Sequence, residues 1–357
     1  MIPLPPLLSP ILEHLYAHHI TPIIVGGYVR DALMGKRDSK DMDIELYTHH
    51  PLESIESLLN PFGKVNMVGK SFGVLKLRLA EWEIDFSLPR TESKEGYGHK
   101  GFRVHPDSTL DFASAARRRD FTINAIGFDP QTDTLLDPYH GVNDAHHRHL
   151  AYVDATTFGE DPLRVLRAIG FAGRFDLACD PSLVERCHQM VANGALEELP
   201  HERIFEEFKK LLLLSPRPSV GLALFARMGG RAFLSLEHDD AAWERTLVRL
   251  DATPCDLALR LAAMLLDVPS PKTLLERLTA QRSLRTQILA ILEYAHRYGV
   301  VTIPPKPLLQ GRDLINLGLL PSVEFKTLLD RVYDAQCRNC FTTYEAGIEW
   351  LRTWCNR

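Results

Sequence analysis

Residues 23–46 read IIVGGYVRDALMGKRDSKDMDIEL, and the fold follows from how that stretch divides. A β-branched run, Ile23-Ile24-Val25, ends in Gly26-Gly27; a helical pattern begins at Tyr28; a second apolar strand then carries Asp41 and Asp43. Side chains two apart on a strand share a face. Asp41, Asp43 and Glu45 are therefore expected to point one way, and Met42, Ile44 and Leu46 into a core. Two neighbouring carboxylates repel each other and call for a cation. The glycine pair lets a ligand approach backbone N–H groups where a helix begins, a favourable place for phosphate. Either half alone is commonplace, a turn or a solvated strand edge. So close together they read as a metal and nucleotide site.

Working outward, residues 9–19 have the pattern of a short amphipathic helix leading into the first strand, and residues 52–59 that of another. GKSFGVLKLRL (69–79) and EWEIDFSL (81–88) alternate as a hairpin-like pair turning near Ala80-Glu81. Mixed strands and helices in this span predict a compact α/β head. Asp85, on the second strand of that pair, is a candidate third carboxylate. RTESKEGYGHKGFRVHPDST (90–109) has glycines, charges and almost no aliphatic periodicity, and reads as a long mobile loop. In RRRDFTINA (117–125) the arginines suit triphosphate oxygens, while Asp120 and Asn124 can hydrogen-bond a ribose hydroxyl.

From about Thr156 onward the chain reads as almost entirely helical. EDPLRVLRAIGFAGRF (160–175) has a well-marked start, with Asp161 as cap and Pro162 at the first helical position. Asp161 and Arg164, three apart, lie on one face; on spacing alone they form an ion pair.

The chain has 357 residues, too many for one ordinary core, and its 45% hydrophobic and 24% charged residues are ordinary for a folded soluble protein. No uninterrupted apolar run approaches the roughly 18 residues needed to span a bilayer. MIPLPPLLSPILEHL (1–15) lacks a basic start and is broken by prolines, so it does not read as a signal peptide, and a cytoplasmic protein without membrane contact is expected. The six cysteines are scattered, as in reduced intracellular proteins. Cys337 and Cys340 form a C-x-x-C without a second ligand pair, so structural zinc is not expected. The histidines at 140, 146, 147 and 149 lack supporting carboxylate or cysteine spacing and read as surface residues. A net charge of −5 speaks weakly against a protein coated in nucleic acid, yet Arg117-Arg118-Arg119, Lys209-Lys210 and residues 272–312 are locally basic.

Taken in order, the motifs resemble one family. GGYVRDALMG (26–35) followed by DMDI (41–44) is similar to the opening motif of class II tRNA nucleotidyltransferases and bacterial poly(A) polymerases. RRRDFTINA matches that family's second motif, which contacts the nucleotide's sugar and phosphates, nearly letter for letter. Residues 137–153 correspond to the third, with Asp144 matching its acid and Ala151 standing where an arginine is expected. EDxxR at 160–164 is the family's template for the incoming base, and ERxxxExxK at 202–210 resembles a fifth motif read as helix-to-helix support. RTESK and GY..GF resemble the flexible loop that takes part in switching from C to A addition. Beyond about Leu214 the resemblance fades; the His-Asp pair of a phosphohydrolase domain is replaced by Leu266-Asp267.

The resemblance implies an α+β protein: a polymerase-β-like nucleotidyltransferase head with a mixed sheet (1–138), a helical neck with the base-recognition helix (139–214), and a helical body and tail that bind RNA (215–357). It implies template-independent addition of CMP and AMP to tRNA 3′ ends from CTP and ATP. Asp41 and Asp43 would be catalytic and hold Mg²⁺; Gly26, Gly27, Arg30 and Asp31 would shape the triphosphate site. Arg118, Arg119, Asp120 and Asn124 would serve the sugar side, and Asp161 and Arg164 the base. The alternatives are a poly(A) polymerase, an enzyme adding only CC or only A, or an inactive RNA-binding descendant. GKSFGVLK (69–76) looks more like CCA-adding enzymes, and intact Asp41 and Asp43 argue against inactivity.

Overall fold

The alternation read at Asp41 to Leu46 is realised at the heart of a seven-stranded mixed sheet. The computed structural model describes residues 2–36, 39–68, 73–94, 102–234, 239–319 and 324–355. Helix α1 (Ser9–Ala17) leads into β1 (Thr21–Val25), α2 (Gly27–Leu33), β2 (Asp41–Tyr47) and α3 (Leu52–Leu59). Then come β3 (Val65–Val68), β4 (Val74–Leu79), β5 (Trp82–Ser87), β6 (Arg90–Lys94), β7 (Phe102–Pro106), α4 (Phe112–Ala116), β8 (Gly127–Asp129) and β9 (Thr134–Leu136). The sheet order is β3-β4-β5-β2-β1-β8-β9, with β2 antiparallel to β1 and parallel to β5. Met42, Ile44 and Leu46 are at most 2% exposed and pack with Ile24, Leu77, Ile84 and Phe86 under α1 and α3. Burial of that face, the main driving force here, fixes the register and leaves the odd-numbered residues of β2 on the other side.

Residues 89–109 depart from expectation. Their described part is an antiparallel ribbon, β6 on β7, with Arg90 opposite Pro106 and Lys94 opposite Phe102. The ribbon stands apart from the large sheet, so no apolar face is imposed on its sequence and the alternation that would reveal strands is missing. Gly96, Tyr97 and Gly101 of the GY..GF element lie outside the described residues, as do Gly69 to Phe72 of GKSFGVLK.

After β9 the chain turns helical. Short α5 (Gly141–His146), α6 (Ala155–Glu160) and the longer α7 (Leu163–Phe175), α8 (Pro181–Ala192), α9 (His201–Leu214) and α10 (Pro218–Arg227) follow. A two-residue parallel pair, β10 (His149–Leu150) on β11 (Ala178–Cys179), stitches the start of this region to the end of α7. Helix α10 crosses α7 so closely that a Cβ on Gly221 would overlap the Ile169 carbonyl. Contacts accordingly divide the chain into compact units at Met1–His238 and Asp239–Arg357, and position 214 falls inside the first.

The described secondary-structure elements of the second unit are all helices: α11 (Asp240–Ala252), α12 (Leu257–Leu265), α13 (Pro271–Leu278), α14 (Arg282–Tyr298), α15 (Gly311–Asn316), α16 (Glu324–Cys337) and α17 (Tyr344–Cys355). Helix α12 is buried from Ala258 to Leu265, which is why every residue of it but Arg260 is apolar. Asp267 is held by Arg249 at 2.7 Å and lies 3.6 Å from Arg245. No described helix is long and apolar enough to cross a membrane.

Candidate active site

Register brings the two halves of the opening stretch together. Val25 pairs with Asp43 across β1 and β2, so the turn at Gly26 leaves the sheet beside that carboxylate. Gly26 has φ +70°, and a Cβ there would lie 3.3 Å from both Asp43 Oδ2 and Arg119 Nη1. A side chain would thus be strained and would crowd the acid.

Among the described residues, neither the Asp41 nor the Asp43 carboxylate accepts a hydrogen bond or joins an ion pair; Ser39 Oγ donates to the Asp41 backbone carbonyl instead. Burial pushes the Asp43 carboxyl above its usual range, Arg119 opposes this, and Asp85 and Asp41 add like-charge repulsion. Asp85 sits opposite Asp43 on β5; one oxygen is 3.0 Å from Lys76 Nζ and the other is buried without a partner. Unpaired, mutually repelling hard oxygens beside a bare backbone fit a divalent cation completed by phosphate and water. No cluster of three or more His, Cys, Asp or Glu side chains arranged for a metal occurs among the described residues.

Glu45 lies on the same strand face, but its environment differs. It is fully buried, accepting from Arg118 Nη2 at 3.1 Å, Arg119 Nη2 at 3.3 Å and Tyr47 Oη at 3.1 Å. It braces the arginines behind the metal-facing carboxylates.

These residues open onto a cavity of about 830 Å³, lined by Gly26, Gly27, Arg30, Asp41, Asp43, Arg118, Arg119, Asp120, Asn124, Asp161 and Arg164 together with residues the sequence reading did not single out for it. Of the candidates, Asp31 and the candidate third carboxylate Asp85 are off this wall. Asp31 is the nucleotide-site candidate among them. It is buried behind Arg30, which it holds at 2.6 Å, and faces Arg174 at 3.4 Å.

The added wall comes from two helix stripes. Arg164, Arg167, Phe171 and Arg174 recur along one face of α7, while Val165, Leu166, Ala168, Ile169 and Ala172 bury the opposite one. Arg203, Glu207, Lys210 and Leu214 do the same on α9. The ERxxxExxK spacing, taken from the sequence as helix support, has the three-and-four periodicity of a common helix face. Eight cationic side chains face five carboxylates on this wall, so an acidic chain presents a positive cavity suited to a polyphosphate.

Asp161 Oδ1 accepts from Leu163 N at 3.0 Å and so caps α7, leaving Oδ2 without a described partner. Arg164 donates to the carbonyls of Thr157, at 2.9 Å, and Arg118. The pair that spacing alone would join is therefore not joined. Each side chain is instead anchored separately, with hydrogen-bonding capacity left over.

Asp144 accepts from Thr122 Oγ1 at 2.6 Å, and Thr122 N donates to the Ala151 carbonyl at 3.0 Å. With Ala151 unable to supply a guanidinium, Arg148 reaches the end of α7, donating to the Phe175 carbonyl at 3.2 Å.

The family profile described as Poly A polymerase head domain matches residues 23–151. A "CCA-adding enzyme" of Bordetella bronchiseptica is 36% identical over 260 residues, covering 72% of this chain and 68% of that protein. The chain belongs to the tRNA nucleotidyltransferase and poly(A) polymerase family. Members of this family use a divalent metal ion. Similarity over 260 residues runs further than the 214 positions on which the motifs fall. A "Multifunctional CCA protein" of Xylella fastidiosa is 42% identical over 195 residues, 53% of this chain and 44% of the relative, so the chain spans about half the length of such curated relatives. The structure of "Thermotoga maritima CCA-adding enzyme complexed with tRNA_CCA" superposes with a TM-score of 0.70, covering 99% of this chain and 96% of that one at 19% identity, which establishes a common fold.

Proposed function

We propose that this chain is a template-independent RNA nucleotidyltransferase that adds CMP and AMP to tRNA 3′ ends from CTP and ATP, with Mg²⁺ as the metal and the cytoplasm as its compartment. One observation carries the reading. Two unpaired carboxylates, Asp41 and Asp43, sit on the same cationic cavity as an acceptor and a donor, Asp161 and Arg164, anchored on a helix. The names of the relatives, CCA-adding enzyme and Multifunctional CCA protein, support it.

Asp41 and Asp43 would hold the metal, which supplies activation of the attacking hydroxyl and stabilisation of the leaving oxygen. The bare Gly26-Gly27 turn, Arg30, Arg118 and Arg119 bind and orient the triphosphate, and Arg203, whose side chain has no partner among the described residues, adds charge from α9. The tRNA 3′-oxygen bonds to the α-phosphorus as the bond to pyrophosphate breaks. A second cavity of about 220 Å³ shares Asp43, Arg118 and Arg119 with the first and is otherwise lined by residues such as Asp85, Ser87 and Arg90; it suits the acceptor end. At the base end, an ionised Asp only accepts and an Arg only donates. Cytosine and adenine each present an amino donor beside an unprotonated ring nitrogen; uracil and guanine present a carbonyl beside a ring N–H. Asp161 and Arg164 are matched to the first pair. Residues 1–138 would act as head, 139–214 as neck, and 215–357 as the RNA-binding body and tail.

The test offers tRNA ending before CCA, after C, and after CC, with each ribonucleotide singly and then together. Products ending cleanly at CCA are expected. A long A ladder would make it a poly(A) polymerase, a stop after CC or addition of A alone would make it a partial enzyme, and no incorporation would overturn the proposal.

A further inference from the structure

At the end of α7 the chain gathers more positive charge than its ion pairs neutralise. Arg30, Lys36 and Arg174 converge there, and among the described residues a single carboxylate pairs with them. Asp31 lies 2.6 Å from Arg30 Nη2 and 3.4 Å from Arg174 Nη2. The Lys36 ammonium joins no ion pair among the described residues. Burial and the Arg174 charge hold it below its usual range, with Arg30 and Arg148 adding to this and Asp31 opposing it. These cations therefore repel one another at close range and need something else to keep them together.

What they share is a ring. The charged ends of Lys36, Arg174 and Arg30 lie over Phe175, at 4.3, 4.8 and 4.9 Å from its centre. An aromatic face attracts a cation within about 6 Å, and more strongly where water is excluded. Phe175 is 3% exposed. Phe171 stacks on it with the ring planes 12° apart, and Arg30 lies 4.9 Å from the centre of that ring too. Local structure sets each member in place. Gly35, at φ +77°, ends α2 in a Schellman motif: Gly35 N donates to the Ala32 carbonyl at 3.1 Å and Lys36 N to the Asp31 carbonyl at 2.7 Å. Phe175 closes α7, and its own carbonyl accepts from Arg148 Nη1 at 3.2 Å.

More carboxylates would hold the cations but would cancel their charge. A ring carries no net charge, and its quadrupole acts at contact and fades steeply with distance. A ligand farther off still meets the positive charge. Arg30 and Arg174 line the cavity, and a Cβ on Gly27 would lie 3.5 Å from Arg30 Nη2, which puts that guanidinium beside the glycine turn. Lys36 stands behind them, off that wall. Resting on the nucleotidyltransferase reading, we propose that Phe175 is a positioning residue for the triphosphate: its ring gathers Arg30, Lys36 and Arg174 without neutralising them, so that they draw the phosphates as one cluster of charge.

The experiment compares wild type with Phe175→Leu and with chains carrying mono-, di- and trifluorinated phenylalanine at position 175, on a tRNA transcript ending before CCA. Fluorine withdraws electron density from the ring face in steps while its shape and burial stay nearly the same. KM for CTP and for ATP should rise together along the series, by about threefold or more with the trifluorinated ring and at least as far in Phe175→Leu. KM for the tRNA and the preference for CTP over UTP should stay within about twofold. A KM for CTP that is flat across the fluorinated series would reduce Phe175 to packing and overturn the proposal, and so would a changed preference between CTP and UTP. Should Phe175→Leu not fold, the fluorinated series decides alone. If wild type transfers neither CMP nor AMP, the function reading fails on its own, and the series is read from calorimetric affinity for inorganic tripolyphosphate. A stepwise fall with fluorination then supports the proposal, and an unchanged affinity refutes it.

Discussion

Asp161→Asn isolates base choice from helix stability. Asp161 does two things: Oδ1 caps α7 through Leu163 N at 3.0 Å, and Oδ2 is left over for a ligand. Alanine would remove both functions, and the cap alone is worth about 0.5–2 kcal/mol. Asparagine caps as well as aspartate does, so the helix should survive, while the spare acceptor becomes an NH₂ donor. Facing it, the amino group of cytosine or adenine loses an acceptor and is left unpaired, at about 1–3 kcal/mol; the carbonyl of uracil or guanine gains a bond worth about 0.5–1.5 kcal/mol. The difference, about 1.5–4.5 kcal/mol, corresponds to a shift in kcat/KM of about tenfold at the low end and a thousandfold at the high end in favour of UTP over CTP. Arg164 still faces the uracil ring N–H, so UTP should not reach the wild-type rate with CTP. The assay is single-nucleotide incorporation from each NTP into tRNA ending before CCA, with thermal unfolding as a control. A variant that melts like wild type and keeps its ratio of CTP to UTP would refute the argument, and base choice would have to lie elsewhere.

Asp43→Asn, and equally Asp41→Asn, should abolish transfer while leaving the fold intact; near-normal turnover in either would remove the metal proposal. Because the Asp43 carboxyl is raised above its unfolded value, chiefly by burial, its charged form opposes folding, and that cost fades as pH falls through the raised value. Metal-free Asp43→Asn should therefore melt no lower than wild type at neutral pH, with the gap closing in acid, and Mg²⁺ should raise Tm for wild type only. Gly26→Ala forces a side chain into φ +70° against Asp43 and Arg119; a loss of about 1–2 kcal/mol in unfolding free energy is expected, together with reduced transfer. Leu266 cannot replace a metal-binding imidazole and Asp267 is tied to Arg249. Nickel- or manganese-stimulated phosphodiesterase activity, lost on mutating Asp267, would show the second unit to be misread.

What the sequence determined by itself was local and periodic. Alternation at Asp41 to Leu46, the Gly26-Gly27 break and the start of α7 follow from strand period, glycine conformation and helix capping, each carried by neighbouring residues. The motifs naming the candidate residues were legible for the same reason: their spacing is the spacing of one strand or one helix face. Tertiary structure decided which of these groups have partners. Glu45 shares a strand face with Asp43, but only the packing of Arg118 and Arg119 against it turns it into a brace. Arg167 and Arg174 lie on one face of α7, and only tertiary packing pairs them with Asp120 and Asp31. The β6 and β7 ribbon escaped because backbone pairing outside the main sheet leaves no apolar signature. Pattern records what each residue must bury. It does not record which charge, brought from a hundred positions away, will occupy the last lone pair of a buried acid.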